Sequence, residues 1–386
     1  MRSCVVIAPA SVSAVRTEQY CQLDLHGVAA HFGVIDIPAP DFDPDSDAHA
    51  HSVLLQVEAF SFNYREKARV VKVAADPNAR GYLVLGSELG GTVLQVGCAV
   101  TSLKPGDRVC GNGTVEAGSA PLGLTTQRAS AELQVIHAAK LQRVPDEMEL
   151  TEAAAFSVGA QTAYGMVRRL RAGPGDHVLV TAATSNTSLF AIKALRNRGA
   201  TVHALTSSPT AVPYLRSLGV QHCCVLDRQG DHVPALRAYL ETQGMRGFDI
   251  VIDPFMDIYL RKLIPFVNRF GTYITCGVYA QFAQADDAFL YRGLPLDEMF
   301  GLLIRKSISL VGNNLGITDD LAVALRDYRE GRLQIELDAV LSEGTFATFV
   351  ERSFMSSNRR GKVVFRYGKR AATMATETTI AAALQL

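Results

Sequence analysis

Residues 177–208 read HVLVTAATSNTSLFAIKALRNRGATVHALTSS, and the spacing of their apolar positions decides the fold. A short apolar run, Val178-Leu179-Val180, follows the turn Gly173-Pro174-Gly175-Asp176, as expected of a buried strand. Leu189, Ile192 and Leu195 then recur at helical spacing, which assigns Lys193, Arg196 and Arg198 to the solvent face. Gly199 stops that helix, and a second strand ends in Leu205-Thr206-Ser207-Ser208. A strand, turn, helix and strand of this size opens a dinucleotide-binding unit, whose turn admits a pyrophosphate to the helix N-terminus.

The turn holds no glycine. Where GxGxxG is expected, the chain has Ala182, Ser185 and Ser188, all small but each larger than the hydrogen that motif prefers. Asn186 tolerates a left-handed backbone, and the hydroxyls of Thr184, Ser185, Thr187 and Ser188 can donate to phosphate oxygens in place of close backbone approach. The alternative is an α/β unit that has lost its ligand.

The remaining composition narrows the function classes. With 386 residues, 48% hydrophobic and 20% charged, the chain buries a large core and divides into two domains. Its 38 basic residues balance 38 acidic ones, and no basic stripe carries interleaved aromatics, which argues against nucleic acid. No apolar run reaches about 18 residues, so no membrane span is expected and a cytoplasmic location follows by default. The seven cysteines are odd in number and scattered, as expected of reduced thiols. No CxxC, HxxxH or HExxH spacing for a metal occurs, and His49 and His51 fall in an acidic loop.

Ahead of the nucleotide unit, short strands alternate with turns (Ser52 to Ala59, the glycine-opened run at 90–97, Lys104-Pro105-Gly106-Asp107 and the strand after it), which reads as a small barrel-like β domain. From Thr151, a plausible N-cap, an Ala-rich helix carries the chain into the next domain. Strands at 223–226, 248–253 and 271–277 with helices between them then give the grammar of a parallel sheet. The run Gly361-Lys362-Val363-Val364-Phe365-Arg366 reads as a terminal strand returning to the first domain, and the tail from Lys369 as a frayed or weakly held helix.

Taken in order, Phe60-Ser61-Phe62-Asn63-Tyr64-Arg65-Glu66, Leu85-Gly86-Ser87-Glu88-Leu89-Gly90-Gly91, Lys104-Pro105-Gly106-Asp107, Glu152-Ala153-Ala154-Ala155, Thr162-Ala163-Tyr164, the nucleotide unit and Gly361-Lys362-Val363-Val364 resemble the medium-chain dehydrogenase/reductase superfamily, in its zinc-free quinone oxidoreductase and enoyl reductase branch. The resemblance implies an α/β fold: a GroES-like β domain from residues 1–155 and 313–386, with a doubly wound, parallel-sheet Rossmann domain, 156–312, inserted. In zinc-dependent members, ligands stand at the places of Asn63, Ser87 and about Val158, none of which binds zinc well. Hydride transfer from a nicotinamide to a polarised double bond or quinone is the chemistry that remains.

The resemblance further places Asn63 near the nicotinamide ribose and the substrate, where its amide suits a carbonyl, and makes Tyr64 a candidate proton donor to the α-carbon. Glu88 reads as structural, bonding backbone or Arg65. No acid stands at the end of the second strand, so NADPH is favoured over NADH. Ser207 and Ser208 match serines that relatives place on the 2′-phosphate, with Arg216 replacing a lysine that here is Ala211; Thr162, Gly277 and Asn313 complete the expected cofactor contacts. The expected protein is a zinc-independent, homodimeric reductase of an enoyl thioester, an enone or a quinone, acting on a small molecule. A tailoring oxidoreductase of a biosynthetic pathway and a nucleotide-free scaffold are the alternatives.

Overall fold

The computed structural model describes residues 1–114, 122–226, 233–278, 296–356 and 358–368. The tail from Lys369 lies outside the described residues. Among those described, three sheets form, and one carries the nucleotide unit. Its six strands are all parallel and stand in the spatial order His222–Val225, Thr201–Thr206, His177–Val180, Phe248–Asp253, Val267–Thr275 and Ser309–Gly312. The order reverses between His177–Val180 and Phe248–Asp253, and a ligand crevice opens outside the carboxyl ends of strands at such a point.

The apolar run at 178–180 is buried on both faces because helices cover both. Val178 and Val180 join Ile250, Ile252 and Ile274 in one core, whereas Leu179 joins Leu205, Val251 and Tyr273 in the other. Alternate side chains of a strand point to opposite faces, so a continuous hydrophobic run feeds two cores at once. The helix Asn186–Asn197 covers the first, with Leu189, Ile192 and Leu195 turned inward. Gly199 ends this segment with φ +81°.

Lys193 departs from the expected solvent face. It is 5% exposed, and its Nζ donates to the Gln334 carbonyl at 2.7 Å and to Glu336 Oε1 at 3.0 Å. The aliphatic stem is covered by neighbouring structure, and the ammonium is paired by a chain segment 143 residues away.

A seven-stranded sheet, six strands in one path and the seventh, Leu133–His137, paired beside it, builds the β domain. Its hub is Ser52–Ser61, antiparallel to Glu88–Val96, Leu133–His137 and, as expected of a return, Lys362–Arg366, with Phe60 opposite Phe365. Phe60, Phe62, Phe349 and Phe365 form its aromatic centre. A Cβ at Gly90 would stand 2.0 Å from the Leu150 carbonyl oxygen, so glycine here admits the following helix.

That helix is broken in two, Leu150–Ala153 and Ser157–Leu170, and the cap of the first piece is Glu149 rather than Thr151. Side chains claim the carbonyls of the break: Ser61 Oγ donates to Ala154 O and Asn186 Nδ2 to Ala155 O. No helix of the described residues is long and apolar enough to cross a membrane.

Candidate functional site

At the turn, the left-handed residue is Ala182, φ +44°, rather than Asn186, whose side chain instead ties the helix start to Ala155. Ser185 is the N-cap: its Oγ accepts from Ser188 N at 3.3 Å and donates to Ser188 Oγ at 2.9 Å. Ser188 is 1% exposed and donates to Thr181 O at 2.8 Å, so its hydroxyl is turned into the protein and away from any phosphate. Thr187 faces the cleft, and Thr184 O accepts from Gly361 N at 2.9 Å. The turn is therefore hydrogen-bonded to the strand that returns from the other lobe. Because a left-handed alanine costs about 1–2 kcal/mol, of which glycine's added unfolded-chain freedom takes back about half, Ala182→Gly is expected to stabilise the protein by about 0.5–1 kcal/mol. Urea unfolding reads this directly; a lower midpoint contradicts it.

Two cavities flank the turn. The larger, about 580 Å³, takes Asn63 and Tyr64 from the β domain, and Thr162, Ser185, Asn186, Thr187 and Gly277 from the opposite wall. Tyr64 meets Phe255 edge-on across it at 5.2 Å. The smaller, about 210 Å³, is lined by Thr184, Ser208 and Thr210 facing Arg359 and Arg360. Arg359 lines both.

Other expected contacts fall elsewhere. Ala182, Ser188 and Ser207 line neither cavity. Asn313 holds Leu315 O and accepts from Arg169, while its neighbour Asn314 lines the larger cavity. Arg216 is exposed and its charge acts on His222 and Cys223, away from the serines it was expected to serve.

The residue that sequence reading missed is Lys362. Its Nζ lies 2.7 Å from Glu88 Oε2 and 2.5 Å from Asn63 Oδ1, with Lys362 5% and Glu88 0% exposed. Glu88 also accepts from Val158 N at 2.7 Å and Asn63 Nδ2 at 3.1 Å, and that Nδ2 donates to Ser87 Oγ at 3.0 Å. Glu88 thus bonds backbone as expected, but its cation is Lys362; Arg65 stands 3.8 Å from Glu66 instead. Burial pushes the Glu66 carboxyl up, against a hydrogen bond from Ser87, the charge of Arg65 and the Asn63 amide. Asn63, Ser87 and Val158 do converge, and an ammonium sits among them. Among the described residues, no three His, Cys, Asp or Glu side chains gather in a way that could hold a metal ion. The signal was present in Gly361-Lys362, legible as strand but not as charge.

Beneath the turn, Asp253 is fully buried and accepts from Thr181 Oγ1 at 2.7 Å, Phe255 N at 2.9 Å and the Tyr273 hydroxyl. Desolvation pushes its carboxyl up to about 6 despite those donors.

This two-lobed arrangement has known counterparts. Residues 49–146 match the alcohol dehydrogenase GroES-like domain. A solved structure of an NAD-dependent alcohol dehydrogenase superposes with a TM-score of 0.73 over 95% of this chain and 100% of that one, at 25% identity. The chain has the medium-chain dehydrogenase/reductase fold. Its sequence is 32% identical over 223 residues to the polyketide synthase GfsB of Streptomyces halstedii, covering 56% of this chain and 4% of that protein. It is 30% identical over 236 residues to the trans-enoyl reductase grgB of a Penicillium species, covering 59% and 61%. The chain thus spans less than two thirds of the length of these curated relatives.

Proposed function

We propose that this medium-chain dehydrogenase/reductase is a zinc-free, NADPH-dependent reductase of a C=C bond activated by a carbonyl, an enoyl thioester or enone, with a quinone as the alternative acceptor. One observation carries the reading: residues expected to meet substrate (Asn63, Tyr64) and residues expected to meet cofactor (Thr162, Asn186, Thr187, Gly277) share one cavity. The relatives named above favour a place in biosynthetic tailoring.

The site fits a phosphorylated dinucleotide. Hydroxyl-bearing and cationic side chains line the cleft on both sides of the turn, and the acid in the smaller cavity, Asp338, is ion-paired to Arg352. The nicotinamide would lie against Thr162 and Gly277, and the adenosine end toward Ser208. When bound, NADPH supplies the hydride, delivered to the β-carbon of the acceptor.

The chain's own part is orientation and protons. Both ends of the Asn63 amide are engaged, by Lys362 on one side and by Ser87 and Glu88 on the other, so Asn63 positions the Lys362 ammonium rather than gripping a carbonyl itself. Two of the three Nζ donors go to Asn63 and Glu88, leaving one for a substrate carbonyl in the cavity that Lys362 lines. Tyr64 holds the proton for the α-carbon on its hydroxyl, and Phe62, Phe255 and Leu315 keep water from the reacting atoms. The lysine cation at the convergence of Asn63, Ser87 and Val158 supports the zinc-free reading.

The same proposal takes 1–155 with 313–386 as the substrate domain and 156–312 as the cofactor domain. It also takes a cytoplasmic homodimer joined through the exposed edge strand Ser309–Gly312. NADPH is expected to bind at least tenfold more tightly than NADH, about 1.4 kcal/mol, by titration calorimetry. Equal affinities would count against the cofactor assignment, and no binding of either would favour the scaffold alternative. Oxidation of NADPH by a 2-enoyl thioester but not by a simple aldehyde tests the acceptor class.

A further inference from the structure

We propose that the groove of about 390 Å³ beside the strand Leu133–His137 is a strand-addition site, and that its occupant is this chain's own segment beyond Gly368, through residues 373–380, laid parallel to that strand.

The strand is paired on one side. Antiparallel neighbours alternate between pairs that exchange hydrogen bonds and pairs that do not. Val57 N donates to Glu132 O at 2.8 Å and Ala138 N to His51 O at 2.9 Å, so Glu132, Gln134, Ile136 and Ala138 direct their backbone groups to Ser52–Ser61. Leu133, Val135 and His137 therefore turn their amides and carbonyls the other way, into the groove they line, and among the described residues nothing bonds them there. Across the groove stand Pro38 and Pro40, which have no N–H to donate. A free edge of this kind is a template for one more strand, because its main-chain groups recognise any extended segment.

The chain path names the segment. Glu88–Val96 occupies one edge of Ser52–Ser61, and the other edge is shared by Lys362–Arg366 and Leu133–His137. Both are antiparallel to the hub, so they run in one direction, end to end. Tyr367 N extends the first ladder to Glu58 O at 3.1 Å, and at the next residue, Val57, the amide already belongs to Glu132. Arg2 marks the exit: its Nη2 donates to Gly368 O at 2.7 Å and its Nε to Glu132 Oε1 at 2.8 Å. The chain thus leaves the sheet beside the residue that precedes the free edge, and continuing one strand further out pairs it parallel to Leu133–His137. Residues 369–386 follow, whereas a five-residue strand needs about 17 Å of extended chain, so length suffices. Thr373, Thr376, Thr378, Thr379 and Ile380 are β-branched, which suits a half-buried strand in place of the weakly held helix expected for the tail. The one acid, Glu377, suits a groove whose described lining holds Arg128 and Lys140 and no carboxylate. Leu124 lines both this groove and the 580 Å³ cavity, so the seated segment backs one wall of that cavity.

Amide hydrogen exchange on the full chain, resolved residue by residue, tests this. Leu133, Val135 and His137 are expected to exchange roughly 100-fold more slowly in wild type than in the full chain carrying Thr376→Pro/Thr379→Pro, whose prolines remove donors of both strand parities. Gln134 and Ile136, bonded to Ser52–Ser61, should exchange alike in the two proteins and so report that the variant folds. Fast exchange at Leu133, Val135 and His137 in wild type means an open edge and overturns the proposal. Slow exchange that survives the prolines, or that strengthens with protein concentration as for a second copy, gives the groove another occupant and overturns it equally.

Discussion

Lys362→Met is expected to destabilise the protein by about 3–5 kcal/mol, the cost of leaving a buried charge without its partner. Glu88 is fully buried, and Lys362 is its only ion-pair partner among the described residues. The Val158 and Asn63 donors that remain would solvate the carboxylate only in part. A second substitution separates charge from packing: Glu88→Gln/Lys362→Met should regain most of the loss, since apolar or neutral replacement of both members of a buried pair is often close to neutral. Urea unfolding of the two singles and the double gives the comparison. A Lys362→Met variant within 1 kcal/mol of wild type would mean that the pair is solvated or rearranged. Reductase activity should be lost in both the single and the double, because the cavity-facing ammonium is gone from each.

The second large effect is a pH dependence with an unusual sign. Asp253 titrates near 6 when folded, pushed up by desolvation, against about 3.9 in an unfolded chain. The folded state therefore holds the proton more tightly, and the stabilising contribution is complete below about pH 4. It is lost as pH rises through 6, and the loss amounts to about 3 kcal/mol. Asp253→Asn cannot ionise, so the stability difference between wild type and this variant should shift by that amount between pH 4 and pH 7 and stay flat above. A difference independent of pH would show that the donors Thr181, Tyr273 and Phe255 N hold Asp253 ionised throughout. The readout bears on the site as well, because Thr181 opens the phosphate turn and Phe255 lines the larger cavity.

The turn shows how far local reading reaches. Small residues at 182, 185 and 188 correctly mark a tight strand-to-helix turn, and Ser185 caps the helix as its type predicts. Which of them takes the left-handed backbone is decided by the chain path, which puts Ala182 at φ +44° where Asn186 has the better intrinsic tolerance. Likewise Ser188 is chemically able to bind phosphate, but at the buried start of the helix its hydroxyl goes to Thr181 O.

From the amino-acid order alone come the parallel α/β unit, the small β domain, the returning C-terminal strand and the absence of an acid at 206–208. These rest on periodicity, turn chemistry and motif spacing, all of which are written within short windows of the chain. Tertiary structure decided the partners of the buried ions: Glu336 for Lys193, and Glu88 and Asn63 for Lys362. A charged side chain carries no local mark of being buried, because its cost is offset by a group that chain topology delivers from far away. Lys362 and Asn63 lie 299 residues apart, and only the antiparallel return of Lys362–Arg366 onto Ser52–Ser61 brings them together.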